Sequence, residues 1–248
     1  MNNFSESLNK YSKQIEDKIK NNMEYYNYFL QNQTNSYAQL YLGIIYENSY
    51  YVKENYNEAI KWYKLSVEQN NSYAQNNLGF MYINGLGVEK DYNEAIKWFK
   101  LSAKQNHSYA QNNLGFMYKN SLGVEKDYNE AIKWYKLSAE QNNSFAQNNL
   151  GCLYEEGCGV EKDYRKAIKW YKLSADNNCI CGQQNLEKLM EYYKKNIFEE
   201  YFEIKKDYKK QKKYIIHLET LPGSKLYEEA MSEFYSLTET EKEKNNTN

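Results

Sequence analysis

The chain contains one proline, Pro222, in 248 residues. Proline removes an amide donor and clashes with the preceding helical turn. A chain that avoids it for over two hundred residues has room for many consecutive helices. Arginine is equally scarce: Arg165 is the only arginine among 32 basic residues. The planar forks that read guanine or clamp phosphate are therefore missing. Basic and acidic residues nearly cancel, 32 against 33, for a net charge of −1. No global field draws in nucleic acid or an anionic membrane, so neither is an expected partner. No apolar run approaches the ~20 residues of a membrane helix. The N-terminal stretch MNNFSESLNKYSKQIEDKIKNN lacks the apolar core of a secretory signal. Cysteine is limited to Cys152, Cys158, Cys179 and Cys181, too few for a disulfide scaffold of this length. A reduced, cytoplasmic protein is the resulting expectation. Hydrophobic residues at 41% and charged residues at 26% exclude a disordered tail protein. Tyrosine, at 28 residues, and asparagine are abundant. AT-rich codons favour both, so this bias speaks of the genome as much as of function.

Laid against itself, the sequence repeats at an offset of 36 residues. Trp62, Trp98, Trp134 and Trp170 share that period, as do Gly43, Gly79, Gly115 and Gly151, and Ala38, Ala74, Ala110 and Ala146. Four repeats result: 38–73, 74–109, 110–145 and 146–181. Residues 22–37 resemble the second half of a repeat, and 182–195 the first half. Each repeat reads as two helices. Helix A spans about Tyr73 to Ile83 in repeat two, with Ala74, Leu78 and Tyr82 on one stripe. A glycine in mid-helix lowers propensity by about 1 kcal/mol. Its recurrence at position 79 implies close approach of a neighbouring helix. Helix B spans about Tyr92 to Gln105. Asp91 with Glu94 has the form of an N-cap with a reciprocal acid, repeated by Asn55 with Glu58 and Asp127 with Glu130. Asp163 has Lys166 instead, which removes half of that box. Asn70, Asn106 and Asn142 end the B helices, where the left-handed cap tolerates asparagine next after glycine. Trp98 and Trp134 lie at the edge of the packed stripe and are expected to bury much of their rings.

The pattern A-x3-L-G-x2-Y-x2-G-x-G-V-x2-D-x3-A-x2-W-Y resembles the Sel-1-like repeat family, a branch of the tetratricopeptide-repeat superfamily. Repeat two carries it as Ala74, Leu78, Gly79, Tyr82, Gly85, Gly87, Val88, Asp91, Ala95, Trp98 and Phe99. The resemblance covers residues 38–181. It implies an all-α fold, a right-handed α-solenoid, and a role as scaffold or adaptor with no chemistry of its own. Two departures stand out. Repeat three has Ser121 for the first loop glycine. Repeat one has Ser49 and Tyr51 for both, so its turn is expected to differ. A secreted, disulfide-stapled branch of the family has a cysteine pair in each repeat. Repeats one to three here have none, so that branch does not fit. Residues 1–37 read as an N-terminal helical cap with a half repeat. Residues 182–237 read as a half repeat and helical extension, broken at Leu221-Pro222-Gly223, and 238–248 as a disordered tail.

No catalytic constellation emerges, and neither a cofactor nor a metal is expected. His107 lies in an inter-repeat turn where Asn71 and Asn143 are its equivalents, and His217 sits among Ile215, Ile216 and Leu218. Ser7-x-x-Lys10 lacks every partner motif it would need. The four cysteines have neither paired C-x-x-C spacing nor a histidine for zinc. Helix B carries Lys61, Lys64, Lys97, Lys100, Lys133, Lys136, Lys169 and Lys172 on the side away from its packed stripe, which reads as a solvated outer face.

The expected partner is a protein or peptide. By resemblance to tetratricopeptide arrays, the A helices line the inner curve. With Ala74 at 0°, Asn76, Phe80 and Ile83 point to about 200°, 240° and 180°, opposite the packed side. Their equivalents are Asn112, Phe116 and Lys119, then Asn148, Cys152 and Glu155. Repeat one offers Leu40, Ile44 and Glu47, and the final half repeat Gln184 and Lys188. Amides beside largely apolar side chains could hold an extended peptide. The alternative is an assembly protein that oligomerises through its C-terminal helices. A stripe of Leu186, Met190 and Tyr193 is expected to close the open end of repeat four. Deleting residues 182–248 should therefore cause aggregation or loss of helicity, read by light scattering and circular dichroism. A soluble, fully helical 1–181 chain would refute the cap.

Overall fold

A computed structural model of the chain describes residues 23–204, with side chains to residue 192. Expectations for Ser7, Lys10, His217, the helix beyond Pro222, the tail, and the side chain of Tyr193 lie outside the described residues. Those described are helical between short turns. The helices are α1 Met23–Gln31, α2 Ser36–Glu47, α3 Tyr56–Glu68, α4 Ser72–Asn84, α5 Tyr92–Lys104, α6 Ser108–Asn120, α7 Tyr128–Ala139, α8 Ser144–Glu156, α9 Tyr164–Asp176 and α10 Ile180–Ile204. The chain divides into two compact units after Gln183. The repeats fill the first, with α2, α4, α6 and α8 as A helices and α3, α5, α7 and α9 as B helices. The second is described by the remainder of α10.

Caps set the helix starts. Asn35, Asn71, His107 and Asn143 cap the A helices. Asn55, Asp91, Asp127 and Asp163 cap the B helices. The expected reciprocal box does not form. The cap N–H groups of Asn55, Asp91, Asp127 and Asp163 donate instead to the carbonyls of Tyr46, Tyr82, Tyr118 and Tyr154, at 2.9–3.1 Å. That bond ties the end of each A helix to the start of its B helix. The freed acids turn to lysines one turn on: Glu58 with Lys61, Glu94 with Lys97, Glu130 with Lys133. Asp163 therefore loses nothing by lacking an acid at 166; it caps the Lys166 N–H at 3.0 Å. At the B-helix ends, Asn70, Asn106 and Asn142 adopt φ of 58°, 62° and 60°, as expected, and Asn178 joins them at 62°.

The A–B turn of repeat one was expected to differ and does not. Ser49 and Tyr51 take φ of 59° and 63°, matching Gly85 and Gly87 at 68° and 67°. The Tyr50 N–H donates to the Ile45 carbonyl just as Leu86 donates to Met81, both within 3.1 Å. Two physical demands separate the loop positions. At Gly85 a Cβ would have room, its nearest neighbour 3.5 Å away, so serine serves at 49 and 121 with only the left-handed cost. At Gly87 a Cβ would stand 2.7 Å from the Cβ of Tyr56 on the preceding B helix.

Each A-helix glycine receives an aromatic ring from its own B helix. A Cβ on Gly79, Gly115 or Gly151 would lie 2.7, 2.6 or 2.5 Å from the ring of Phe99, Tyr135 or Tyr171, and Gly43 meets Tyr63 in the same way. These four rings are fully buried, whereas Trp98, Trp134 and Trp170 are half-buried and only Trp62 is buried. The cores straddle repeats. Ala59, Ile60 and Tyr63 pack with Ala74, Leu78 and Met81 of the next repeat, and the pattern recurs twice. Phe29 of α1 closes the first core on Tyr41, stacked at 5.1 Å. Polar rungs join each A helix to the B helix that follows it. The hydroxyls of Ser66, Ser102, Ser138 and Ser174 donate to the carbonyls of Ser36, Ser72, Ser108 and Ser144, each at 2.7 Å. Gly79→Ala, although alanine favours a helix by about 1 kcal/mol, is expected to lower stability by about 1–3 kcal/mol through overpacking. A urea midpoint equal to the parent's would show that the Phe99 ring can move aside.

Candidate partner-binding face

The A helices present Phe80 and Phe116 to solvent at equivalent positions, 46% and 44% exposed. Leu78 and Met81 on the same helix are fully buried. The wheel therefore places the two phenylalanines where it was expected to. Ile44 and Cys152, their counterparts in repeats one and four, are half-buried. Ile44 packs against the first two cores. The Tyr171 hydroxyl lies 3.4 Å from the Cys152 sulfur, and burial pushes that thiol up from its ordinary pKa.

The amide row is not open. Asn113 donates to the Asn76 side-chain oxygen at 3.0 Å, and Asn149 to that of Asn112 at 3.0 Å. Asn76 also turns its amide toward Asn77 at 3.4 Å, and Asn148 toward the Cys152 sulfur at 4.0 Å. The amides thus form a ladder between successive A helices. In repeat one Leu40 takes this place and is buried. A second ladder ties A to B: Gln69 to Gln39, Gln105 to Gln75, Gln141 to Gln111 and Asn177 to Gln147, at 2.7–2.9 Å.

The third expected row divides by repeat. Ile83 is half-buried against the core shared by repeats two and three. Glu47 and Glu155 accept hydrogen bonds from the buried tyrosines of their own B helices, Tyr63 and Tyr171, the latter at 2.6 Å. Lys119 lies 3.7 Å from Glu156 of the next repeat. Glu47 and Glu155 thus work inside their own repeats, and Ile83 and Lys119 across to the next.

The B-helix lysines are exposed, as expected. Between them run Leu101, Leu137 and Leu173, also exposed, a row that the sequence reading did not single out. The same wheel would have found it, since Leu65 falls near 240° when Ala59 is set at 0°. Tyr109 and Phe145, one residue into their A helices, are exposed as well. The four cysteines form no disulfide. Among the described residues no three His, Cys, Asp or Glu side chains gather as metal ligands, and no helix is long and apolar enough to cross a membrane.

Comparison with known proteins follows the same frame. The family model described as Sel1 repeat matches residues 36–71, 72–107, 108–143 and 144–179, each span opening on the first residue of an A helix. The crystal structure of a Sel1 repeat protein from Oxalobacter formigenes is 37% identical over 65% of this chain and 71% of that one, with a TM-score of 0.60. The protective antigen c5321 of uropathogenic Escherichia coli, which displays an SLR fold, is 36% identical over 67% of this chain, with a TM-score of 0.61. The match spans 36% of that antigen's length. No curated protein matches the chain.

His107 is the one titratable group among the A-helix caps. It is 7% exposed, its Nδ1 accepts from the Ala110 N–H at 3.3 Å, and Tyr73 packs edge-to-face at 4.6 Å. Burial pushes its pKa down to about 4. A lowered folded pKa means the unfolded chain takes up the proton first. The stability this histidine gives is therefore full above the ordinary value of about 6.5 and drains away as pH falls toward 4, by roughly 3 kcal/mol in all. Protonation would also convert the Nδ1 acceptor into a donor and remove the cap. His107→Asn, which restores the cap of Asn71 and Asn143, should lose less stability than the parent between pH 7 and 4.5. Parallel urea-midpoint curves for the two proteins over that range would refute a buried, neutral His107.

Proposed function

We propose, since the chain belongs to the Sel1 repeat family, that it is a scaffold taking a peptide or protein partner on the face lined by its A helices. Proteins of this family are generally non-catalytic interaction scaffolds, and the repeats here follow that architecture closely. The observation that carries the choice of face is the pair Phe80 and Phe116. Both remain exposed in mid-helix, where Leu78, Met81, Leu114 and Met117 are buried; Tyr109 and Phe145, at the helix starts, are exposed as well. An exposed apolar row in a repeat array is a contact surface. The flanking amides act on this reading mainly by holding the A helices in step, because their oxygens already accept from the next repeat. The four thiols, outside any disulfide, suit a reducing, cytoplasmic setting.

The test begins with a partner captured by the intact chain. Phe80→Ser with Phe116→Ser should keep the helical circular dichroism spectrum, since both rings are already half in solvent. Affinity should fall about tenfold or more, the usual effect of truncating central aromatic anchors. Asn76, Asn112 and Asn148 changed together to alanine should instead lower the denaturation midpoint. If both variants fold and bind as the parent does, the partner sits elsewhere and the C-terminal helices become the better candidate.

A further inference from the structure

The four repeats carry an internal comparison at one pair of positions. Repeats one and four place a glutamate on the A helix and a tyrosine on the B helix, and the tyrosine hydroxyl donates to the carboxylate: Tyr63 to Glu47, and Tyr171 to Glu155 at 2.6 Å. Repeat two has lost both polar groups, with Ile83 and Phe99 in their places. Repeat three has lost only one. It keeps Tyr135 but carries Lys119 where the carboxylate stood. Tyr135 is 0% exposed, and its hydroxyl is buried without a hydrogen-bond partner. Burial raises its pKa, so it stays a neutral donor. A buried hydroxyl without an acceptor is destabilising, and phenylalanine, as at position 99, would avoid it. Lys119 is a donor as well, its side chain 22% exposed, and its described ion pair is the long 3.7 Å contact to Glu156. Two donors thus occupy a place where the sister repeats pair a donor with an acid, one A-helix turn from exposed Phe116.

We infer that repeat three is a recognition pocket for an acidic side chain of the partner: its carboxylate accepts from Lys119 and Tyr135 while neighbouring apolar side chains rest on Phe80 and Phe116. This rests on the concave-face reading and adds the partner's chemistry to it. The partner segment runs through, since repeats continue on both sides of the pocket, so the carboxylate comes from an aspartate or glutamate and not from a chain terminus. The flexible end of Lys119 swings outward to admit it.

A random dodecapeptide library displayed internally on phage is panned against the full chain, and the best peptide is resynthesised. Enriched peptides should hold one acid close to an apolar residue. Replacing that acid by its amide should weaken binding about tenfold, the scale of one charge-assisted hydrogen bond. Tyr135→Phe should weaken the acidic peptide but leave the amide copy unchanged. Lys119→Glu, which rebuilds the pair of repeats one and four, should raise the thermal midpoint and abolish the preference for acid. Apolar peptides without an acid preference, or a preference confined to free C-termini, would overturn this inference and leave the concave face standing. No enrichment, or enrichment indifferent to Phe80→Ser with Phe116→Ser, would overturn both.

Discussion

The array depends on one contact, an A-helix glycine against the ring of its own B helix. Gly43, Gly79, Gly115 and Gly151 take Tyr63, Phe99, Tyr135 and Tyr171, and none leaves room for a methyl group. The ring sits where a Cβ would be, which fixes how near the two helices stand. The serine rungs measure 2.7 Å in all four repeats, a uniformity that needs the same spacing each time. The bond from each B-helix cap to the last A-helix turn needs it too. Cores that belong to two repeats then follow, because α3, α5 and α7 each leave Ala, Ile and an aromatic residue turned toward the next A helix.

The abundance of asparagine and glutamine acquires a physical meaning in that frame. These residues cap helices, hold the left-handed turns, and form two ladders. One ladder joins A to B and the other joins A to A. Pairing stabilises a buried amide, and the ladders supply the pair at a fixed offset, while the capping residues Asn71 and Asn143 keep a buried Nδ2 without one. Several groups are left over after this pairing, among them the ring nitrogens of Trp62, Trp98 and Trp134. Phe80 and Phe116 are left over as exposed apolar rings, and the hydroxyl of Tyr135 as an unanswered donor.

Much of the fold was legible in the sequence. The period, the B-helix caps, the left-handed asparagines and the reason for the A-helix glycines all follow from local chemistry or from the recurrence of a residue that helices disfavour. The outward aim of Phe80 followed from helical geometry. Three readings failed for a common reason. The reciprocal capping box did not form because the cap N–H is taken by a tyrosine carbonyl more than one helix-turn away in sequence. The turn of repeat one kept its shape without glycine because the surrounding hydrogen bonds impose it. The amides of Asn76 and Asn112, read as open, meet partners 37 residues ahead.

The sequence by itself determined the two-helix repeat and its period, because periodicity, capping and glycine placement act within one turn or recur at one offset; the A helices open two residues before the repeat bounds read from it. The tertiary structure decided which polar groups remain available. A hydrogen bond between repeats takes a donor and an acceptor out of the reach of any partner, and it exists only once two helices are side by side. Glu155 and Lys119 occupy equivalent places in sequence, yet one accepts from a buried tyrosine and the other leaves its tyrosine unanswered. The lysine cannot answer because it too is a donor, and that matters only once folding brings the A-helix side chain beside the buried ring.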